Sequence, residues 1–336
     1  MPARRTVYFT APGRVELREE SLPALGADQL LVQVVCSAIS PGSEMLVYRG
    51  QFPRQLADAN DFISASLDYP LAYGYAAVGR VADVGRAVDP AWEDRLVFSF
   101  QPHTSHFIST PDLLFAVPDL SPESACFLPH METGVNLVQD AAPILGERAL
   151  VLGQGIIGLL TTSLLAEFPL ETLVTADRYE LRRNASLALG VAASLDPNAP
   201  GFRAKALSSL ERGADLSLEV SGSPAALDDA IALTRFSGRV VLGSWYGAKR
   251  AILDLGGTFH RSRIRLVSSQ VSSIAPELSS RWDKARRFDV AWQALRRVQP
   301  EKWITQRFPI EQAEEAYRLL DQNPQETIQV LFEYNP

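Results

Sequence analysis

Residues 148–177 read RALVLGQGIIGLLTTSLLAEFPLETLVTAD, and this stretch decides the fold. The apolar run RALVL is followed at once by a glycine turn, Gly153-x-Gly155-x-x-Gly158, and then by a helical period. In such a turn the first glycine allows a tight bend, the second lets the backbone approach a pyrophosphate, and the third brings helix and strand together. Asp177 ends the next apolar run, where a ribose-binding acid belongs. The stretch therefore predicts a dinucleotide-binding turn.

The residues around this turn also predict the cofactor. The N-terminal amides of the helix, at Ile156 and Ile157, are expected to face the phosphates. Asp177 favours NAD, because its carboxylate accepts hydrogen bonds from a ribose 2′-OH and repels a 2′-phosphate. Arg178 and Arg182 follow closely, and they either bind a phosphate or form a solvated helix face. NAD is thus expected, with NADP left open.

Strand-like and helical segments alternate between about residue 145 and residue 270, and the short apolar runs there are continuous. A strand covered on both faces has this pattern, so the segment predicts a doubly wound parallel sheet. Up to about residue 118 the pattern is different, with short runs rich in Val, Ile, Phe and Tyr between turn residues. An α/β chain with a β-rich part and a Rossmann part is expected.

Composition excludes several classes of partner. The 336 residues include 32 Lys and Arg against 39 Asp and Glu, a net charge of −7, so nucleic acid and anionic membranes are not expected partners. Two cysteines, Cys36 and Cys126, cannot form a cysteine zinc cluster, and they are expected as buried apolar residues in a reducing compartment. No run of about 18 apolar residues occurs. A cytoplasmic protein is expected.

With Ser221-Gly222-Ser223-Pro224 and GRVVLGSWYG (238–247) added to the glycine turn, the whole chain resembles the medium-chain dehydrogenase/reductase superfamily. The resemblance implies a GroES-like catalytic domain over 1–130 and 271–336, a Rossmann domain over 131–270, and a homodimer formed by edge-strand pairing. It also implies further contacts with the cofactor at Thr133, Ser221, Gly222, Gly243, Ser244 and Ser269.

The resemblance points to chemistry without zinc. Aligned with zinc-dependent members, the metal-ligand positions fall on Ser40, Tyr75 and the neighbourhood of Pro129, none an ordinary zinc ligand. The segments SAISPGSEMLVYRG and YPLAYGYAAVGRV are similar to the bacteriochlorophyllide hydroxyethyl dehydrogenase-like subgroup, although Ala76 replaces that subgroup's Glu. No metal site is expected.

Three residues are candidates for the chemistry. Ser43 aligns with the hydroxyl that passes the substrate proton in zinc-dependent relatives, and Leu46 replaces the histidine of that relay. Tyr75 either hydrogen-bonds the substrate oxygen or fills the vacated metal pocket. His130 has the chemistry of a general acid or base, with a structural histidine as the alternative.

The remaining candidates are two histidines and some aromatic side chains. His103 and His106 are expected on opposite faces of a strand, in contact with substrate or at the surface, rather than on a metal. Residues 51–69 are expected to form a long polar loop, of the kind that serves as a lid or as a binding loop. Phe52, Phe62 and Tyr69 of this loop either line a substrate slot or belong to the core.

The expected function is a zinc-independent oxidoreductase that transfers a hydride between NAD(H) and an alcohol or ketone. One alternative is a quinone or enone reductase that uses NADPH. Another is a catalytically silent nucleotide-binding or redox-sensing protein.

Overall fold

The computed structural model describes residues 3–52 and 68–334. The chain divides into two compact units: the first comprises Met1–Pro129 and Leu295–Pro336, and the second comprises His130–Ala294. Residues 271–294 therefore cluster with the second unit. Most of the loop 51–69, including Phe62, lies outside the described residues.

The described residues form strands and helices with the following bounds. The strands are β1 Ala3–Ala11, β2 Arg14–Ser21, β3 Leu30–Ile39, β4 Leu71–Ala72, β5 Ala77–Val84, β6 Leu96–Ser99, β7 His106–Ser109, β8 Phe115–Ala116, β9 Arg148–Leu152, β10 Thr172–Ala176, β11 Ala193–Leu195, β12 Ala214–Glu219, β13 Thr234–Leu242, β14 Arg265–Ser268, β15 Ile304–Pro309 and β16 Gln329–Glu333. The α-helices are α1 Ser43–Tyr48, α2 Pro122–Ala125, α3 Leu128–Ala141, α4 Ile156–Ala166, α5 Glu180–Leu187, α6 Phe202–Ser209, α7 Pro224–Leu233, α8 Lys284–Val298 and α9 Ala313–Gln322.

The second unit is built on a parallel sheet with strand order β11-β10-β9-β12-β13-β14. Strands β9 and β10 are almost entirely buried, as continuous apolarity requires of strands covered on both faces. Counted in chain order, the strands run 3-2-1-4-5-6, the order of a dinucleotide-binding fold with two mononucleotide-binding halves. The predicted doubly wound sheet is confirmed.

The first unit is β-rich, as predicted. Its larger sheet has the order β15-β16-β3-β5-β6-β8, with β7 paired to β3, and a smaller sheet has the order β2-β1-β4. The core of this unit includes Phe9, Val32, Tyr317 and Phe332, which come from both chain segments. The C-terminal segment thus completes the sheet that the N-terminal segment begins.

No helix of the described residues is long and apolar enough to cross a membrane.

Candidate active site

The glycine turn of the second unit lies between β9 and α4, and two of its glycines are sterically required. Gly153 has φ +98°, and a Cβ there would lie 2.5 Å from Ser221 Cα. A Cβ on Gly158 would lie 1.9 Å from the Gly153 carbonyl oxygen. At Gly155, the residue before Ile156, the nearest atom to a Cβ would be Arg182 Nη1 at 3.7 Å. The second glycine is therefore the open position, where a pyrophosphate would approach the backbone.

Asp177 organises this turn from the end of β10. One carboxylate oxygen accepts from the Gln154 backbone N–H at 2.7 Å, and the other accepts from the Tyr179 N–H at 2.8 Å. The guanidinium groups of Arg178 and Arg182 both lie over the Tyr179 ring, at 4.6 and 4.9 Å from its centroid. Burial lowers the pKa of Arg182. The carboxylate and two cations thus meet beside the turn.

The loops after β12 and β13 are tied to each other. The Ser244 hydroxyl accepts from the Gly222 N–H at 2.8 Å, and Lys249 donates to the Gly222 carbonyl. Ser221 donates through its backbone and its hydroxyl to Glu219, which is fully buried at the end of β12. These contacts fix the shape of the edge where the cofactor contacts are predicted.

Gly243 lies close to α3, the helix that also carries the predicted contact Thr133. A Cβ at Gly243 would lie 2.4 Å from Leu137 Cδ2, so a side chain there would push into the helix. Ser269, directly after β14, donates from its hydroxyl to Asp140 of α3 at 2.6 Å. The side chain of Ser269 is thus held by the helix.

The first unit brings Ser40, Ser43 and Tyr75 together. Ser40 follows β3, Ser43 begins α1, and Tyr75 lies between β4 and β5. The Tyr75 hydroxyl lies 2.5 Å from Ser40 Oγ and 3.3 Å from Ser43 Oγ. Burial and the nearby charge of Glu44 raise the pKa of Tyr75 to about 12. A neutral phenol that can donate a proton therefore lies within a cluster of hydroxyls.

Glu44 lies beside this cluster and was not a candidate from the sequence, although it belongs to the motif Ser40-Pro41-Gly42-Ser43-Glu44. It is fully buried. Its Oε1 accepts from the Ser40 N–H at 2.8 Å, and its Oε2 accepts from Tyr317 at 2.6 Å and lies 2.9 Å from His103 Nε2. A buried carboxylate needs such partners to offset the loss of water. Glu44 thereby holds the loop that carries the hydroxyl cluster.

Of the two positions expected for His103, in contact with substrate or at the surface, the surface is wrong, because His103 is fully buried; it also lies before β7 rather than on a strand. Its Nδ1 lies 2.7 Å from Ser37 Oγ, which in turn lies 2.7 Å from the Tyr334 hydroxyl. His106, by contrast, begins β7 and is partly buried, with Nδ1 3.1 Å from Ser105 Oγ. The need to satisfy Glu44 explains the burial of His103, and no pattern of local spacing reveals it.

The remaining candidates are His130 and two aromatic residues of the loop 51–69. His130 belongs to the second unit, where it is buried in the first turn of α3. Phe52 and Tyr69 pack with the core of the first unit, their ring centroids 6.0 Å apart. Phe52 and Tyr69 therefore belong to the core, as the second of their two interpretations predicts.

Cys36 and Cys126 are buried, as expected, and they are neighbours, with 3.3 Å between the sulfur atoms. Burial is the larger cause, and the hydrogen bond to Cys36 the next, of a pKa of Cys126 that lies well above its usual range. Its thiol therefore stays protonated at neutral pH.

Parts of the sequence are similar to known dehydrogenases. Residues 157–288 match the family described as zinc-binding dehydrogenase. Sorbitol dehydrogenase of Bacillus subtilis (strain 168) is 23% identical over 265 residues, which cover 68% of this chain and 71% of that protein. The chain is therefore similar to zinc-binding dehydrogenases over part of the second unit, and to sorbitol dehydrogenase over 68% of its length. The coarse function that follows is that of an oxidoreductase.

Solved structures show the same fold over the whole chain. A short chain alcohol dehydrogenase from E. coli CFT073, complexed with NADH, has a TM-score of 0.79 at 18% identity and covers 98% of this chain and 99% of its own. A protein described as a zinc-binding dehydrogenase, from Sinorhizobium meliloti 1021 and bound to NADP, has a TM-score of 0.77 at 17% identity. The match covers 99% of this chain and 100% of that one. The medium-chain dehydrogenase/reductase fold expected from the sequence is confirmed.

The family name raises the question of a zinc ion. At the aligned ligand positions stand Ser40 and Tyr75, whose hydroxyls are hydrogen-bonded to each other. Zinc in proteins is bound by thiolates, imidazoles and carboxylates rather than by neutral hydroxyls. Over residues 3–52 and 68–334, no three His, Cys, Asp or Glu side chains are grouped as metal ligands. This donor set does not fit a catalytic zinc ion.

Proposed function

We propose that the protein is a zinc-independent oxidoreductase that interconverts an alcohol and its ketone with NAD(P)(H), with Ser43 and Tyr75 binding the substrate oxygen. The observation that carries the proposal is the Tyr75 hydroxyl, at 2.5 Å from Ser40 Oγ and 3.3 Å from Ser43 Oγ, in place of a metal-ligand set. The glycine turn and the loops after β10, β12 and β13 support the dinucleotide.

The chemistry follows from the protonation state of Tyr75. NAD(P)H supplies the hydride to the carbonyl carbon when it is bound. As negative charge develops on the oxygen, Tyr75 donates its proton and Ser43 donates a hydrogen bond. A phenol with a pKa of about 12 is a stronger acid than an aliphatic alcohol, so this transfer is favourable. The ketone gains one hydride and one proton, and solvent returns the proton to Tyr75.

Glu44 and His103 have a supporting role in this mechanism. By accepting from the Ser40 N–H, Glu44 fixes the loop that carries the hydroxyl cluster. His130 remains a proposed general acid or base.

We propose NAD as the preferred cofactor and NADP as an accepted one. Asp177 carries the negative charge that disfavours a 2′-phosphate, while Arg178 and Arg182 stand beside it with the opposite charge. A secondary alcohol is the proposed substrate class, because the related sorbitol dehydrogenase is named for a polyol with secondary hydroxyls.

The test is turnover by the purified protein, with its metal content measured. We expect NAD(H)-linked activity on a panel of sorbitol, small secondary alcohols, 1-arylethanols and the matching ketones, before and after dialysis against a chelator. Tyr75→Phe should lower kcat for ketone reduction by about 100-fold or more, the usual loss of a general acid. Tyr8→Phe is the control, because Tyr8 binds Glu20 elsewhere in the first unit.

Each alternative has its own outcome. One tightly bound zinc ion per chain, with activity lost on its removal, would overturn the zinc-independent mechanism. Activity on activated alkenes alone would favour an enone reductase. NADH binding without turnover of any compound would favour a silent nucleotide-binding protein.

We also propose a homodimer. Strand β14 is an edge strand of the parallel sheet, and its residue Leu266 is 40% exposed. An open edge of this kind can pair with a second copy. Light scattering at micromolar concentration should give twice the chain mass, and a monomer would contradict the proposal.

A further inference from the structure

Arg287 of α8 is a fully buried cation that the proposed mechanism does not use. Its Nε and Nη2 lie 3.0 and 2.9 Å from the carboxylate of Glu132, and Nη1 donates to the carbonyl of Ser273 at 3.0 Å. Nη1 also donates to Asn136, and Nη2 donates to the carbonyl of Val271. All three nitrogens of the guanidinium are therefore engaged, and this group offers five N–H donors in a fixed plane.

These contacts fasten the segment 269–273 to helix α3. Asn136 donates to Ser269 Oγ at 2.9 Å and to Asp140 at 3.0 Å, while Ser269 itself donates to Asp140. Lys284 adds a further contact to Glu132. The segment is thus held at the Ser269 hydroxyl by α3 and at the carbonyls of residues 271 and 273 by Arg287. The α3 side chains of this network, Glu132, Asn136 and Asp140, follow one another at intervals of about one helical turn.

The position of the segment in the sheet gives these contacts a functional meaning. Residue 269 directly follows β14, the last strand in the order β11-β10-β9-β12-β13-β14. Ligands of such sheets bind at the carboxyl ends of the strands, with one mononucleotide on each half. The half with β9 and β10 carries the glycine turn and Asp177, which are adenosine-side features. Segment 269–273 therefore belongs to the half that receives the nicotinamide nucleotide.

We infer that Arg287 is a positioning residue, which holds segment 269–273 in the conformation that binds the nicotinamide half of the cofactor. The inference rests on the proposed function. A lysine at this position cannot replace the guanidinium, because one ammonium group cannot reach acceptors on Glu132, Asn136 and two carbonyls in one plane. The carbonyls of Val271 and Ser273 would lose donors, and the segment would lose its fixed shape.

The test compares two probes for the same site. NADH carries both halves of the cofactor, while ADP-ribose lacks the nicotinamide ring. For Arg287→Lys we expect the Kd of NADH to rise about tenfold, the loss of one charge-assisted hydrogen bond, and the Kd of ADP-ribose to stay within about twofold. Arg286→Lys is the matched control, because this neighbouring arginine is exposed and donates to the carbonyl of Arg281.

The outcomes separate the inference from the proposed function. Unchanged NADH binding by Arg287→Lys, or equal weakening of NADH and ADP-ribose, would overturn the positioning role while leaving the proposed function intact. Failure of the unaltered protein to bind either probe would overturn both. Should Arg287→Lys fail to fold, Asn136→Ser removes one acceptor of the same guanidinium, and the same difference between the probes is expected.

Discussion

The carboxylate of Asp177 accepts a hydrogen bond from the backbone N–H of Gln154, with 2.7 Å between Oδ2 and N. The acid expected to read the ribose is therefore also the residue that fastens the glycine turn to the end of β10. Its other oxygen accepts from the Tyr179 N–H, so the charge is fixed at one place beside Arg182 and Arg178. Cofactor choice and the shape of the turn depend on the same side chain.

Replacing this charge should change cofactor choice. For Asp177→Asn we expect the ratio of kcat/KM for NADP to that for NAD to rise about tenfold, because a 2′-phosphate no longer meets a carboxylate. Asp196→Asn is the control: Asp196 follows the neighbouring strand β11 and binds the Asn198 N–H. Steady-state kinetics with both cofactors measures the ratio, and an unchanged value would contradict the role given to Asp177.

Gly153 should tolerate no side chain. In Gly153→Ala two costs add up: the Cβ would lie 2.5 Å from the Ser221 Cα, and the alanine would have to adopt a positive φ. We therefore expect the free energy of unfolding to fall by at least about 3 kcal/mol. Gly190→Ala is the matched control, since Gly190 has φ +82° and open space around it, and about 1 kcal/mol is expected. Urea titration measures both variants. Equal losses would show that the contact with Ser221 is unimportant.

Glu44→Gln should destabilise the first unit. A glutamine has one accepting oxygen where the carboxylate has two, so it cannot accept from both the Ser40 N–H and the Tyr317 hydroxyl, and its NH2 group must face one of these buried partners. We expect a loss of about 3 kcal/mol, together with a lower kcat. Glu311→Gln removes an exposed partner of Arg5 and should cost less than about 1 kcal/mol. If the two variants unfold at the same urea concentration, Glu44 is not the centre of this network.

Stability should fall in alkaline solution. Burial raises the pKa of Tyr75, Tyr317 and Tyr334 above the value near 10 of an unfolded chain. Above pH 10 the unfolded chain releases these protons while the folded chain keeps them, so the free energy of unfolding decreases as pH rises. Each tyrosine contributes about 1 kcal/mol between pH 10 and 11, where the unfolded side chain is only partly ionised, and the slope approaches about 1.4 kcal/mol per pH unit above that. Urea titrations at pH 9, 10 and 11 measure the slope, and a flat profile between pH 10 and 11 would contradict it.

The two cysteines should resist alkylation in the folded protein. Cys36 and Cys126 are buried, and the raised pKa of Cys126 keeps its thiol protonated at pH 7, whereas the thiolate is the reactive form. Iodoacetamide should therefore label both thiols of the chain unfolded in guanidinium chloride. In buffer, over the same time, it should label neither. Mass spectrometry counts the labels. Rapid labelling of the folded chain would show that this pair is accessible.

The sequence by itself determined the fold, and it predicted where the nucleotide binds. Continuous apolar runs, the helical period and the spacing of Gly153, Gly155 and Gly158 are short-range signals, because strand burial and turn geometry depend on neighbours along the chain. The same holds for Asp177 at the end of its strand. Ser43 and Tyr75 were found through resemblance, which assigned the positions but not the contact between them.

Only the tertiary structure decided the partners of buried charges. Glu44 meets His103 across 59 positions and Tyr317 across 273, and Arg287 meets Glu132 across 155. A sequence pattern shows which face of an element is buried, but it does not show which distant side chain lies opposite. Because a charge removed from water must find hydrogen bonds wherever the packing supplies them, these networks exist only once the elements are assembled.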